Sequence, residues 1–563
     1  MGLRGRGDLA GAPPAPRGGP HGGPARGRRW LVPLGWAAAG VALFFCYVRV
    51  SQTEPGDSYG AVFTLQAWDM LHGNLLLHGW WLSDVSFYTT ELPEYMLVDL
   101  VRGLSPGVVH VAAAITYTLL VLLAGLLARG HESGRQGTLA ALIAMGIMLS
   151  PQLGNGIFVL LLAPDHVGTC VPVLLAWLAV GRLRPRWYVP VLAGAVLAWA
   201  LVADRVVLLV AVAPLVAVCA LRVYRGLVRE RLPLRACWYE MSLIAAGLAA
   251  AGLAAAALAL ITAHGGFVVW PVAPVLTSVA ALPHHLLLLL EALLLLFGAD
   301  FFGHGIGIAP AFALVHLAGF GLAAWATCAG VARLRRGGDL VVQILTVGIL
   351  INLAAFLLWD RVGDITMARE IAAVLPYGAV LAGRLLSGRL AAARAPADRA
   401  VPTPPPAGQR ESVPPAARLA AARPLAALSV VALAYLANLG YVAAHPPMPQ
   451  RDHQLASWLA AHHLRYGIAA SWLGSDVTIA SGGQVALRPM AWRAAGIGRS
   501  EWESNASWYD PRRHDANFAV LVGDPPNPAM SPVRATFGPP ARTYRVGPYT
   551  VLVYSSNLLS RLH

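Results

Sequence analysis

"VVHVAAAITYTLLVLLAGLLA", residues 108–128, is the stretch on which the fold turns. It holds one histidine and no formal charge, and about 20 apolar residues are what a helix needs to cross the hydrocarbon core of a bilayer. The run lacks the polar alternation of a barrel strand, which leaves a helix to satisfy every backbone N–H and C=O internally. Its two flanks differ in charge. Upstream, 51–107 carries Glu54, Asp57, Asp69, Asp84, Glu91, Glu94 and Asp99 against Arg102 alone, whereas "RGHESGR" at 129–135 opens the arginine-bearing side. Arginine-rich loops stay in the cytoplasm, so the acidic segment belongs outside.

The same argument extends along the chain. Of 563 residues, 57% are hydrophobic and 12% charged, too apolar a balance for a water-soluble globule. Spans are expected at 30–50, 108–128, 138–150, 168–181, 187–203, 206–221, 239–262, 308–331, 340–359, 371–386 and 424–444. That makes eleven crossings, with the N-terminus inside and the C-terminus outside. "HHLLLLLEALLLLFGAD", 284–300, is short for a span and carries His284, His285, Glu291 and Asp300. It is expected to lie at the external interface, as a horizontal or re-entrant helix, which keeps "RLRRGG" at 333–338 inside.

The net charge of +14 does not point to nucleic acid, because the basic residues, all arginine, lie in short clusters between apolar runs. Arginine-only basicity with abundant Ala, Gly and Pro points to a GC-rich, actinobacterial-type source. Five cysteines lie in or beside apolar runs without metal-ligand spacing. The tail 1–29 and the Pro/Ala/Arg linker 387–423 should be flexible and cytoplasmic. The membrane domain spans 30–444, with 51–107 as its first external loop. From 445 to 563 the composition shifts to a small external α/β domain. "QLASWLAAHHL" reads there as a helix, "DVTIAS" (476–481), "ANFAVLVGD" and "RTYRVGPYTVLVYSS" as strands, with Gly547-Pro548 as a turn. The fold class is mainly α, a polytopic transmembrane bundle with a C-terminal extracytoplasmic α/β domain.

The polar residues of the first loop carry the functional signal. In "EPGDSYG" (54–60) and "AWDMLHGN" (67–74), Asp57 and Tyr59 precede a helix that ends in Met70, Leu71, Gly73 and Asn74. By position alone Asp57 reads as a helix cap. The spacing resembles the first external loop of the GT-C glycosyltransferases, membrane enzymes typified by protein O-mannosyltransferases and aminoarabinose transferases. Three further stretches agree in order: "YTTELPEYMLVDLVRGL" (88–104), "LLLAPDHVGTCVPVLLAWL" (160–178) and "RVGDITMAREIAAVLPYGAVLAG" (361–383). Glu91 and Glu94 flank Pro93 where many relatives carry a basic residue. The resemblance covers the chain from the first loop to about residue 385.

The resemblance implies an inverting transfer of a sugar from a polyprenyl-phosphate donor to an extracytoplasmic glycan, lipid or protein acceptor, at the plasma membrane. Asp57 would be the general base, taking the acceptor hydroxyl's proton. Arg369 would bind the departing phosphate, since a guanidinium grips it in bidentate fashion; an ordinary ion pair with Asp364 or Glu370 is the plainer reading. Tyr59, Asp165, Glu91 and Glu94 complete the expected substrate contacts. Asp165 and His166 could hold magnesium or manganese against the phosphate, or merely cap a helix and face the interface. Arg205, beside Asp204 at a short external turn, is a second candidate for the phosphate, with a local ion pair as the plainer reading. Trp80 and Trp81 fit either sugar stacking or an aromatic belt. Rival functions are a membrane transporter, which would put charges near mid-membrane, and a non-catalytic scaffold of the same fold in cell-envelope assembly.

Overall fold

The computed structural model describes residues 25–132, 134–162, 165–273, 275–302, 305–399, 415–450, 452–470, 473–493, 496–523 and 529–562. Residues 1–24, in the expected N-terminal tail, fall outside this set, as does 400–414 in the linker. On either side of 400–414 the chain is helical, Val374–Arg399 and Pro415–Ala443, so helix enters the expected flexible linker 387–423 from both ends. Alanine, leucine and arginine are strong helix formers, which accounts for the encroachment.

Helix α1 (Ala25–Ser51) leads into α2 (Ser58–Leu71), α3 (Glu91–Arg102) and α4 (Gly107–Arg129). The helices α4, Cys170–Arg182, Ala213–Tyr224 and Ile308–Leu334 each place an arginine in the last turn, where a cation suits the helix dipole. These ends meet: Arg384 donates from Nε to the Leu127 carbonyl at 2.9 Å and pairs with Asp339, while Arg182 donates to the Leu126 carbonyl at 2.8 Å. The opposite end gathers α2, α3 and the loops at 148–169, 203–207 and 359–371, and is called the loop end below.

By length and composition, eight described helices can cross a membrane, or nine counting the pair Ile365–Ile371 and Val374–Leu390, which bends by 55°. This is fewer than the eleven expected, because Cys170–Arg182, Tyr188–Ala203 and Gly134–Ile147 are short. Val279–Leu296 passes the length test that 284–300 fails, since a 3-10 turn at Val279–Ala281 extends it. Its contacts nonetheless keep both ends at the loop end. His285 Nδ1 lies 3.1 Å from the Leu357 carbonyl, at the far end of Leu340–Leu358, and Gln152 Nε2 donates to the Asp300 carbonyl at 2.5 Å. The helix therefore lies across the bundle's end.

The strands, in chain order, are β1 (Trp80–Leu82), β2 (Val268–Val269), β3 (Tyr466–Ala470), β4 (Ala486–Arg493), β5 (Gly496–Arg499), β6 (Ser504–Asn505), β7 (Phe518–Val522), β8 (Arg542–Val546) and β9 (Tyr549–Val553). Six form a mixed sheet in the order β5-β4-β3-β7-β9-β8, with β4, β3 and β7 parallel. Alternate residues cover its two faces: Phe518, Val520 and Val551 join one core, Ala519, Leu521 and Leu552 the other. Residues 476–481, read as a strand, lie instead in the helix Leu473–Ala480 and its end. Leu473 and Val477 sit one turn apart in the core, and Thr478 Oγ1 donates back to the Gly474 carbonyl, so tertiary packing overrides β propensity.

A second, three-stranded sheet joins the two domains. β1 of the first loop pairs parallel with β2 and antiparallel with β6 of the C-terminal domain. Trp80, entirely buried, packs edge-on against Trp508 and donates from Nε1 to Asp69 at 2.7 Å, so it serves packing and not sugar stacking.

Close approach of α2 to α4 depends on Gly60, where an added Cβ would lie 2.6 Å from Val109 Cγ1. Gly60→Ala should destabilise the protein by about 1–3 kcal/mol, the cost of overpacking. Thermal unfolding in detergent checks this; Gly252→Ala, inside the helix Trp238–Ala263 and facing nothing within 4 Å, should hold or slightly raise the midpoint.

Candidate functional site at the loop end of the bundle

Four of the expected residues converge although three separate segments carry them. Asp57 caps α2, its backbone extended (φ −88°, ψ 145°) and its side chain accepting from the Tyr59 N–H at 3.1 Å. The expected cap is thus real, and it coexists with the position the chemistry needs. The Arg369 guanidinium stands over the Tyr59 ring, 5.2 Å from its centroid, and donates from Nη1 to Asp165 Oδ2 at 2.9 Å. Arg369 therefore pairs with Asp165, not with Asp364 or Glu370. Asp364 is occupied in capping Ile365–Ile371, through the Thr366 N–H at 2.8 Å.

Next to this group, His166 bridges two carboxylates: Nδ1 lies 2.7 Å from Asp204 Oδ2 and Nε2 lies 3.2 Å from Glu370 Oε2. Asp204 thus pairs with His166 and not with its neighbour Arg205, which stays exposed. With both ring nitrogens committed, His166 has no lone pair for an ion, and Asp165 is held by Arg369. Among the described residues no group of three or more His, Cys, Asp or Glu is arranged to hold a metal. The arrangement does not fit a metal centre on Asp165 and His166.

Burial and charge act together on these groups. Loss of water and the neighbouring Asp165 charge push the Asp57 carboxyl up to about 7, against the backbone N–H groups and Arg369, which pull it down. Burial disfavours a charged His166, yet Asp204 and Glu370 outweigh it and hold the imidazole well above its usual range, as a cation. Arg369 is likewise held above its usual value once Asp165, Tyr59 and Glu370 overcome its desolvation.

Two cavities flank the cluster. One, about 460 Å³, has Asp84, His166, Asp204, Arg205 and Glu370 at its polar end and apolar walls such as Phe356 and Trp359. The other, about 160 Å³, is polar and lined by Glu54, Asp57, Ser58, Gln450, Asp452 and Asp476. The C-terminal domain supplies Asp452 and Asp476, and Ser58 Oγ donates to Asp476 Oδ2 at 2.5 Å. Asp57 lines the polar cavity and feels the charges of Asp165 and Arg369, while His166, next to Asp165 in sequence, lines the apolar one.

Glu91 and Glu94 are not brought to Asp57. Glu91 is buried against Gly168, where a Cβ would meet its Oε1 at 2.3 Å, so it packs beneath the turn carrying Asp165 and His166. Glu94 accepts from Thr116 Oγ1 at 2.6 Å in a separate apolar cavity of about 390 Å³. Burial raises both, Glu94 to about 8. Sequence reasoning missed Asp84, Glu370, Gln450, Asp452 and Asp476. Only Glu370 carried a signal, its adjacency to Arg369. The "NAS" sequon at 505–507 is no acceptor, for Asn505 is buried and accepts from the Ser507 N–H at 2.9 Å.

Both partners of the Arg369–Asp165 pair are largely buried, at 15% and 6% side-chain exposure. Arg369→Ala should cost about 3–5 kcal/mol by stranding the Asp165 carboxylate. Arg369→Ala with Asp165→Ala should cost less than the two changes summed. Unfolding midpoints in a double-mutant cycle measure the coupling.

No protein-family model matches the sequence, and no curated protein sequence matches it. Solved structures do. ArnT from Cupriavidus metallidurans bound to undecaprenyl phosphate superposes with a TM-score of 0.54 at 14% identity, over 94% of this chain and 99% of that one. The same protein in the apo state gives 0.51 at 14% identity, over 96% and 100%. The archaeal oligosaccharyltransferase AglB from Archaeoglobus fulgidus gives 0.47 at 13% identity, over 88% and 70%. Matching ArnT over nearly the whole length of both chains, the chain shares that structure's fold, with at least eight described helices long and apolar enough to cross a membrane.

Proposed function

We propose that the protein transfers a sugar from a polyprenyl-phosphate carrier to an acceptor hydroxyl on the extracytoplasmic face, with inversion at the anomeric carbon and Asp57 as general base. The observation that carries this is the placement of Asp57 at the join of a polar cavity and a cationic group, with its carboxyl near neutrality. Undecaprenyl phosphate bound to ArnT supports the lipid class of the donor. The apolar walls of the larger cavity suit a prenyl chain, and the arginine-rich end opposite the site supports a cytoplasmic N-terminus with the C-terminal domain outside.

In the reaction the acceptor enters the polar cavity and Asp57 removes its proton. The acceptor oxygen bonds to the anomeric carbon as the bond from that carbon to the phosphate oxygen breaks, and polyprenyl phosphate leaves. Arg369 spends donors on Asp165 and Tyr59, and a guanidinium has five, so further N–H groups remain to meet the charge growing on the phosphate. Arg205, exposed at the mouth of the apolar cavity, supplies a second guanidinium. His166 acts through its carboxylates, fixing Glu370 and Asp204 around the cavity's polar end. Charges gathered at the two ends of helices whose middles are nearly uncharged favour this chemistry over transport.

Asp57→Asn should lower turnover by about 10²–10⁴-fold, the usual share of a general base, while the protein folds normally. The assay is release of polyprenyl phosphate from protein in lipid with acceptor extract. A base must be unprotonated, and a carboxyl at about 7 loses its proton as pH rises. The wild-type rate should therefore climb about tenfold per pH unit below 7 and level off above. A rate flat from pH 5 to 8, or full turnover by the Asn variant, overturns Asp57 as base.

A further inference from the structure

We infer that Glu503, in the C-terminal domain, is a positioning residue that clamps the domain onto the first external loop and sets where Asp57 and Asp84 stand. Glu503 is 2% exposed and lies at a positive φ of 48°, a backbone conformation rarely adopted by a residue with a Cβ. Such strain persists only where the surroundings enforce it. Each carboxylate oxygen has its own partner from a different part of the loop: Gln66 Nε2 donates to Oε2 at 2.7 Å, and the Ser83 N–H donates to Oε1 at 2.9 Å.

Those partners lead to the two cavities. Gln66, 1% exposed, lies on α2, whose cap is Asp57 and whose first turn holds Tyr59. Ser83 follows β1 and immediately precedes Asp84, at the polar end of the apolar cavity. A single carboxylate thus holds the segment carrying the base and the segment carrying a wall of the donor cavity at one separation. Strand β6 starts at the next residue and pairs with β1, with Trp80 opposite Asn505 and Trp81 opposite Ser504. The Ala506 N–H donates to the Gly79 carbonyl at 2.8 Å, and Asn505 Nδ2 to the His78 carbonyl at 3.3 Å. The small sheet supplies the hinge side of the clamp and Glu503 its tooth. Burial raises the Glu503 carboxyl to about 7, against the Ser83 and Gln66 donors, which favour the carboxylate and pull it down.

The kinetic part of this inference rests on the proposed transfer; the structural part does not. The test uses the full chain in lipid, with Glu503→Ala, Glu503→Gln and wild type compared by hydrogen exchange and by turnover of a polyprenyl-phosphate sugar. Glutamine keeps the shape: its carbonyl can take the Ser83 N–H, and its amide can donate to Gln66 Oε1, now without a partner, once the Gln66 amide turns over. Glu503→Ala should raise exchange in 58–71 and 80–84 while leaving β3, β4 and β7 protected. It should lower kcat by about 10–100-fold with donor KM within about twofold, as expected of a misplaced base. Glu503→Gln should restore both.

Unchanged exchange in α2 with wild-type kcat for the alanine variant overturns the inference. So does exchange rising throughout the six-stranded sheet, which would make Glu503 an ordinary core residue. The expected exchange pattern in a protein that turns over no donor upholds the clamp and removes the transferase reading instead.

Discussion

The ion pair between Arg369 and Asp165 is the contact on which the site depends. Its members are 204 residues apart, and each stands at a break in the helical bundle. Arg369 lies on the 3-10 turn before a 55° bend, and Asp165 on a turn just after the π-helical stretch Phe158–Leu162. Breaks of this sort cost backbone hydrogen bonds and are retained where they aim side chains. The guanidinium also covers the Tyr59 ring, so the pair locates the first loop as well as the two helix ends. Its electrostatic effect runs the same way. Burial first and the Asp165 charge second keep Asp57 from ionising readily, while the Tyr59 N–H and Arg369 limit how far that goes. One contact both assembles the cluster and tunes it.

Around that pair the two cavities differ in charge. The charged residues among the described lining of the polar cavity are all carboxylates, Glu54, Asp57, Asp452 and Asp476, whereas the other cavity sets two cations, Arg205 and the imidazolium of His166, among Asp84, Asp204 and Glu370. A group transfer with a hydroxyl nucleophile and a phosphate leaving group needs this asymmetry. The nucleophile must lose a proton to an anion, and the leaving group must gain negative charge near cations. A symmetric cluster would stabilise one partner at the expense of the other.

The membrane character and the polar loop were legible because both follow from local composition. A run such as 108–128 has one physical solution in a bilayer, and acidic loops separate from arginine clusters by a rule that acts over short distances. Asp57, Tyr59, Asp165 and Arg369 were found through a resemblance in order and spacing, and the fold brings them together. What could not be read was pairing across the chain. Nothing near Arg369 distinguishes Asp165 from Asp364 or Glu370, and nothing near Asp204 names His166 over Arg205. The helix Leu473–Ala480 was misread as a strand because its β-branched residues are placed by packing on β4, a contact invisible in a window of six residues.

The C-terminal domain belongs to this argument as part of the site. Without Gln450, Asp452 and Asp476 the polar cavity has only one wall, made by 54–58 with Phe158 and Leu162. The domain is also not free to drift from that wall. Its strand β6 completes a sheet whose centre strand belongs to the first loop, and Gln450 Nε2 lies 3.2 Å from His110 Nε2 on α4. Arg49 on α1 donates to the His445 carbonyl at 3.0 Å just before the domain begins. An acceptor reaching Asp57 therefore meets a surface whose shape is set jointly by a membrane bundle and a water-facing sheet. Under the proposed transfer, substitutions at Gln450, Asp452 and Asp476 would reshape the polar cavity and leave the apolar one intact, since the two share no described lining residue.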